Sequence, residues 1–131
     1  MITSKFVVFG TAWRSDVTLS QNLRNMANLT ETLTAHQYQY QTVLGRYAQT
    51  EEQSLAVAVH SLDIAKQMAR HVGAVYQQEC VGVLDVEQMD FALVYPDGRV
   101  EPLGKFRPVT ESEAFRADAS TYWHGQYWVA G

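Results

Sequence analysis

A chain of 131 residues, 47% of them hydrophobic and 18% charged, has room for one folded domain spanning 1–131 and excludes a disordered chain. The net charge of −4, with Lys and Arg scattered, excludes a binder of phosphate backbones, so no nucleic-acid partner is expected. The single cysteine, Cys80, forms no intramolecular disulfide, the start MITSKFVVFGTAWR lacks the long apolar region of a signal peptide, and no run reaches membrane-spanning length; a cytoplasmic protein with no membrane partner is expected.

FVVFGTAW (6–13) is rich in Val, Phe and Trp and reads as a buried strand. RSDVTLS turns the chain. Leu19, Leu23, Met26, Leu29, Thr30 and Leu33 then follow at helical spacing, with Thr18 or Ser20 as cap and His36 near the C-terminal end. Residues 37–44 alternate, with Tyr38, Tyr40 and Thr42 on one face, and Gly45 ends or bends that strand. SLAVAVH (54–60) is nearly all apolar and reads as a central strand. SLDIAKQMARHVG (61–73) is the clearest helix, with Ser61 as N-cap, Leu62, Ala65, Met68, Ala69 and Val72 as its stripe, and Gly73 as C-cap. ECVGVLD (79–85) reads as a strand, and 91–104 as a hairpin around Pro96-Asp97-Gly98. In the aromatic tail, 119–131, His124-Gly125 turns a short hairpin whose aromatic rings are read as packing groups.

The order strand, helix, strand, strand, helix, strand, hairpin leads to an α+β fold: a ferredoxin-like split βαβ sandwich. Its antiparallel sheet carries two helices on one face and an extra C-terminal hairpin. The other face wants cover, and no helix is left to supply it, so sheet-to-sheet oligomerisation is expected.

His36, His60, His71 and His124 stand at no ligand spacing, so no metal site is expected. Cys80 sits in mid-strand, and GxSxG, P-loop and GxGxxG motifs are missing, which leaves no nucleophile or dinucleotide loop. Carboxylates remain. Glu51-Glu52 sits at the mouth of a central strand; Glu87 follows another, with Asp85 and Asp90 nearby. Adjacent acids in loops are ordinarily just solvated, and a tyrosine such as Tyr40 on a sheet face ordinarily packs. A functional reading gives Tyr40 the alignment of a ligand or of a cation over its ring.

FVVFGTAWRSD, the GRY ahead of TEEQSLAVAV, QQECVGV, FALVYPDG and EPLGKF occur in an order that resembles the bacteriophage S-adenosylmethionine-degrading enzymes, lyases formerly called hydrolases. The similarity spans most of residues 6–109. It implies a homotrimer of GlnB (PII)-like sandwiches with active sites at subunit interfaces. It also implies S-adenosylmethionine as substrate rather than cofactor, no other cofactor, and 5′-methylthioadenosine and L-homoserine lactone as products. For a phage, the gain is depletion of host S-adenosylmethionine. Glu51 matches the family's glutamate in Thr-Glu-Glu and is expected to hold the substrate α-ammonium, with Glu52 in reserve. Tyr40 is expected to orient the methionine end and line the sulfonium, and residues 45–49 to form the loop over the cleft. Glu87 is a candidate for the ribose or another polar edge. Adenine is left to choose among Tyr47, Phe106 and Trp13. The alternatives are hydrolysis to homoserine with Glu51 as general base, a PII-like module that binds an adenine nucleotide without turnover, and an inhibitor that binds a host protein.

Overall fold

The structure, a computed structural model, describes residues 5–47 and 50–131. Among these are eight strands and three helices: β1 (Phe6–Gly10), α1 (Leu19–Ala35), β2 (Tyr40–Tyr47), β3 (Thr50–Val59), α2 (Leu62–Val75), β4 (Val81–Asp85), β5 (Asp90–Val94), β6 (Val100–Val109), α3 (Glu111–Arg116), β7 (Ala119–Trp123) and β8 (Gln126–Ala130). Every pairing is antiparallel, and the sheet closes on itself in the order β1-β3-β2-β7-β8-β6-β5-β4.

This closed barrel overturns the expected open sandwich of ferredoxin-like or PII-like type. The strands of the predicted helical crossovers do stand as neighbours, β4-β1-β3-β2, but they form only half of a wall that β5 to β8 complete. The error lay in assuming that only helices or a second subunit could cover the far face of the sheet. The strands carry two apolar faces in alternation. Val8, Leu55, Val57, Val59, Val81 and Val83 point outward and meet Met26, Leu29 and Leu33 of α1 and Ala65, Ala69 and Val72 of α2. Val7, Ala56 and Leu84, their immediate neighbours in sequence, point inward with Val43 and Phe106. Phe9, Phe91, Trp123 and Trp128 fill the rest of that interior. Eight strands enclose a space that side chains can fill, so the chain's own aromatic rings supply the cover.

Two devices bend the sheet shut. Phe91 pairs with Gly104 and Ala92 with Pro102, which leaves Leu103 as the extra residue of a bulge in β6. Gly104 takes a φ of +92°, a conformation that suits glycine. The tail then returns as the β7–β8 hairpin, β7 against β2 and β8 against β6. Its turn is the expected one: His124 and Gly125 have φ of 52° and 71°, as a two-residue primed turn requires. Trp128 Nε1 donates to the Trp123 carbonyl at 2.9 Å, satisfying its polar edge inside the barrel.

The helices follow their local signals with two corrections. Thr18 caps α1, its hydroxyl accepting from Gln21 N at 3.1 Å, and Ser61 caps α2. Leu19 and Leu23 are exposed, whereas Asn22 is buried and clasps the backbone of Arg14 through both amide atoms at 2.8 Å. Gly73 does not end α2, which runs on to Val75; a Cβ at Gly73 would stand 3.0 Å from Pro96 Cγ, so the glycine lets the β5–β6 turn approach the helix.

Candidate active site

Gly45 does not end its strand either. β2 continues to Tyr47 and β3 begins at Thr50; residues 48 and 49, the tip of the expected loop, lie outside the described residues. A Cβ at Gly45 would lie 3.0 Å from Ser54 Oγ, so glycine serves a close approach between strands. Glu51 and Glu52 are therefore strand residues, not loop residues. Glu51 faces Arg46 and Glu52 faces Gly45 across the ladder.

Alternation sends the two carboxylates to different places. Glu51 lines a cleft of about 120 Å³ with Leu44, Gly45, Arg46, Phe115, Ser120, Tyr122 and Tyr127. Its Oε1 lies 3.9 Å from Arg46 Nη1. The Arg46 guanidinium is centred 4.4 Å over the Phe115 ring of α3. Tyr127 Oη reaches Glu111 Oε2 at 3.5 Å. Partial desolvation, then the fields of Glu111, Tyr122 and Glu51, raise the Tyr127 phenol above its ordinary range and keep it a neutral donor at neutral pH.

Glu52 lines a more open, polar cleft with Trp13, Arg14, Ser15, Asp16, Gln77, Gln78 and Glu79. Arg14 is engaged by Asp16 at 2.5 Å and by Gln77. Burial raises the Glu52 carboxyl above its usual range. A carboxyl whose pKa is raised on folding favours the fold when protonated, and that contribution is lost as pH climbs from the unfolded value through the folded one. Glu52→Gln is thus expected to raise Tm by about 1–4 °C at pH 7, with the gain shrinking toward zero below about pH 4. Thermal melts of both proteins across that range check it.

The other expected site residues do not converge on Glu51 within one chain. Tyr40 pairs with Val57, six residues along β2 from Arg46, or roughly 20 Å away. Its hydroxyl meets Thr34 Oγ1 of α1 at 3.2 Å, and its ring is 37% exposed. Glu87 follows β4 at the far end of the barrel, where Phe6 pairs with both Asp85 and Val59; Val59 stands roughly 26 Å along β3 from Glu51. The Glu87 backbone N–H donates to Asp85 Oδ1 at 3.0 Å in a turn. Tyr47 is exposed beside Thr50 and Ala119. Trp13 packs partly against the outer core. Phe106 is no adenine platform: it is 4% exposed and stacks near-parallel on Phe91 at 4.9 Å and on Trp128 at 5.4 Å.

Sequence reasoning missed Arg46, Phe115, Ser120, Tyr122 and Tyr127. Arg46 stands opposite Glu51 by register, one pair in from Tyr47 and Thr50. Nothing local marked Phe115, Ser120, Tyr122 or Tyr127, which reach the cleft only because β7 pairs with β2. Among the described residues, no three His, Cys, Asp or Glu side chains gather where they could hold a metal, and no helix is long and apolar enough to cross a membrane. Burial and the fields of Glu79 and Glu101 raise the Cys80 thiol, so it stays protonated at neutral pH. A family model, described as the S-Adenosylmethionine lyase family, matches residues 8–131. Among curated proteins, none matches the chain.

Proposed function

The chain belongs to the S-adenosylmethionine lyase family, and from that premise we propose that it breaks the γ-carbon–sulfur bond of S-adenosylmethionine by attack of the substrate's own carboxylate, releasing 5′-methylthioadenosine and L-homoserine lactone. The match over residues 8–131 carries this reading.

The chemistry makes modest demands on the protein. The sulfonium is already an excellent leaving group, and the nucleophile lies within the substrate, so the protein need not supply one. The positive sulfonium and negative carboxylate neutralise each other as the ring closes, and a site shielded from water favours that transition state over the separated charges. The larger contribution comes from folding the substrate so that its carboxylate meets the γ-carbon. Glu51 serves this by gripping the α-ammonium. Its cleft lies at the end of the barrel, on a hairpin whose register is fixed by pairing on both sides.

A cleft of about 120 Å³ is smaller than the roughly 300–1,000 Å³ of sites that enclose a whole ligand of this size. In this reading one chain holds the amino-acid end, and a neighbouring copy in a homotrimer brings the surface that receives the nucleoside. Tyr40 and Glu87 join Glu51 only across such a boundary. The barrel already covers both faces of its own sheet, so assembly would complete the site rather than the core. Depletion of S-adenosylmethionine would serve a phage as a defence against host enzymes that consume it.

The test is incubation with S-adenosylmethionine and identification of the earliest products by chromatography and mass spectrometry. Homoserine lactone is expected to appear first and to open slowly to homoserine. Homoserine as the first product would replace the lyase with a hydrolase, and unchanged substrate would remove the activity.

A further inference from the structure

Resting on that reading, we propose that the Glu52 cleft is the nucleoside half of the site: Glu52 accepts hydrogen bonds from the two ribose hydroxyls, and the purine lies along Trp13. The cleft is built from three segments that hold one another in place. Gln78 Nε2, beyond α2, donates to the Trp13 carbonyl, beyond β1, at 3.0 Å. Arg14 is held twice by Asp16 and once by Gln77, and its backbone is clasped by the buried Asn22. Gln77 turns the chain with a φ of 55°, and Gln78 N then donates back to the Gly73 carbonyl at 2.9 Å. Glu52 itself stands on β3, in register with β2. The walls are therefore in place before any ligand arrives.

Glu52 is the odd member of this lining. Its carboxyl is half-buried, and its cross-strand partner is Gly45, which has no side chain to offer. Among the described residues none hydrogen-bonds or ion-pairs with it, and burial alone acts on its affinity for a proton. An acceptor kept from water without a donor costs the fold free energy, and a ligand that brings donors recovers it.

What those donors are follows from the rest of the lining. The charge of Arg14 is met by Asp16. Glu52, Glu79 and the side-chain carbonyl of Gln78 remain as acceptors, so the cleft disfavours a phosphate or carboxylate and favours hydroxyl and amino groups. A bare divalent ion needs several carboxylates gathered round it, and among the described residues no such group of three exists. A vicinal diol suits Glu52 best, because its two hydroxyls match the two oxygens of one carboxylate. Trp13, partly buried, gives a flat base an apolar ring to lie on. The volume, about 380 Å³, falls within the roughly 300–1,000 Å³ of small-molecule sites. The Glu51 cleft, at about 120 Å³, has room for the head group alone. No bond is made or broken in the Glu52 cleft; it holds the nucleoside that leaves with sulfur.

The test uses 5′-methylthioadenosine, which carries the nucleoside without the amino-acid head, and its 2′-deoxy counterpart, which lacks one of the two hydroxyls. Calorimetry on the whole protein is expected to show wild type binding methylthioadenosine about 10-fold tighter than the deoxy compound. Glu52→Gln is expected to weaken methylthioadenosine about 10–100-fold, the usual worth of a charged hydrogen-bonded contact, and to narrow the preference to about 3-fold or less. Glu52→Asp, which keeps the charge on a shorter arm, is expected to fall between, and it stands in for the test should Glu52→Gln fail to fold by circular dichroism. Equal affinities of wild type for the two ligands, no binding of methylthioadenosine at all, or a Glu52→Gln protein that keeps the wild-type affinity or the full preference would overturn the proposal. A wild-type protein that binds methylthioadenosine through Glu52 yet leaves S-adenosylmethionine intact keeps this site and removes the lyase. Turnover with an affinity for methylthioadenosine indifferent to Glu52 does the opposite.

Discussion

Glu51→Gln is expected to lower the rate of S-adenosylmethionine consumption by about 100- to 1,000-fold while shifting Tm by no more than a degree or two. The substitution keeps the side chain's length and removes its charge. In the proposed reaction the ammonium then loses its counter-charge, and the substrate carboxylate loses the anchor that aims it at the γ-carbon. A displacement of about 1 Å in a reacting group costs on the order of 100-fold, and the lost ion pair adds to that. Stability tells a different story. The Glu51 side chain is 58% exposed, and its contact with Arg46 is 3.9 Å long, so the pair contributes at most about 1 kcal/mol to the fold. Steady-state consumption and a melting curve on the same preparation separate the two effects. Activity near wild type would remove Glu51 from the site, and a large fall in Tm would make its role structural.

The largest stability effect is expected at Phe106, one of the three residues that the sequence offers as an adenine platform, with Tyr47 and Trp13. Phe106→Ala should destabilise the protein by about 3–5 kcal/mol and lower its Tm by roughly 10 °C or more. The ring is 4% exposed and stands at the centre of the barrel interior, with Phe9, Phe91, Trp123 and Trp128 all within 6.4 Å between ring centroids. Removing it leaves a cavity bounded by rigid rings on strands locked into one closed ladder, a site that cannot collapse cheaply. Urea unfolding is the measurement. A loss below about 1 kcal/mol would mean that the ring is not packed on both sides, as an exposed stacking surface would behave.

Both glycines on which the sequence reading erred fail for one reason. The sequence reads Gly45 as ending or bending its strand and Gly73 as capping its helix, because glycine often ends elements. In the fold each sits inside its element, where a Cβ would press on Ser54 Oγ or Pro96 Cγ at 3.0 Å. A glycine selected for a close approach looks the same in a sequence as one selected for a turn, since the neighbour it accommodates is distant along the chain. Misplacing the end of β2 hid the site as well: once the strand runs on to Tyr47, Arg46 falls opposite Glu51. Missing the closure hid the remaining wall, because Leu44 meets Tyr122 only when the tail returns to the first hairpin.

What the sequence determined by itself was everything written in local periodicity and local caps. Alternation marked β2, apolar runs marked β1, β3 and β4, the 3.6-residue spacing and Ser61 marked α2, and His124-Gly125 and Pro96-Asp97-Gly98 marked two of the hairpin turns. The ordered segments around TEEQSLAVAV also carried the family. The tertiary structure alone decided which strands pair across long stretches of chain, and hence that the sheet closes and the aromatic tail lines its interior. The physical reason is that a strand states in its own residues that two faces need cover, but not what covers them. Burial is non-directional, and any apolar surface of the right shape will serve; here it was the chain's own rings. The pairing of Arg46 with Glu51 under Phe115 belongs to the same class, a site assembled by register and closure from residues that show nothing in common when read in line.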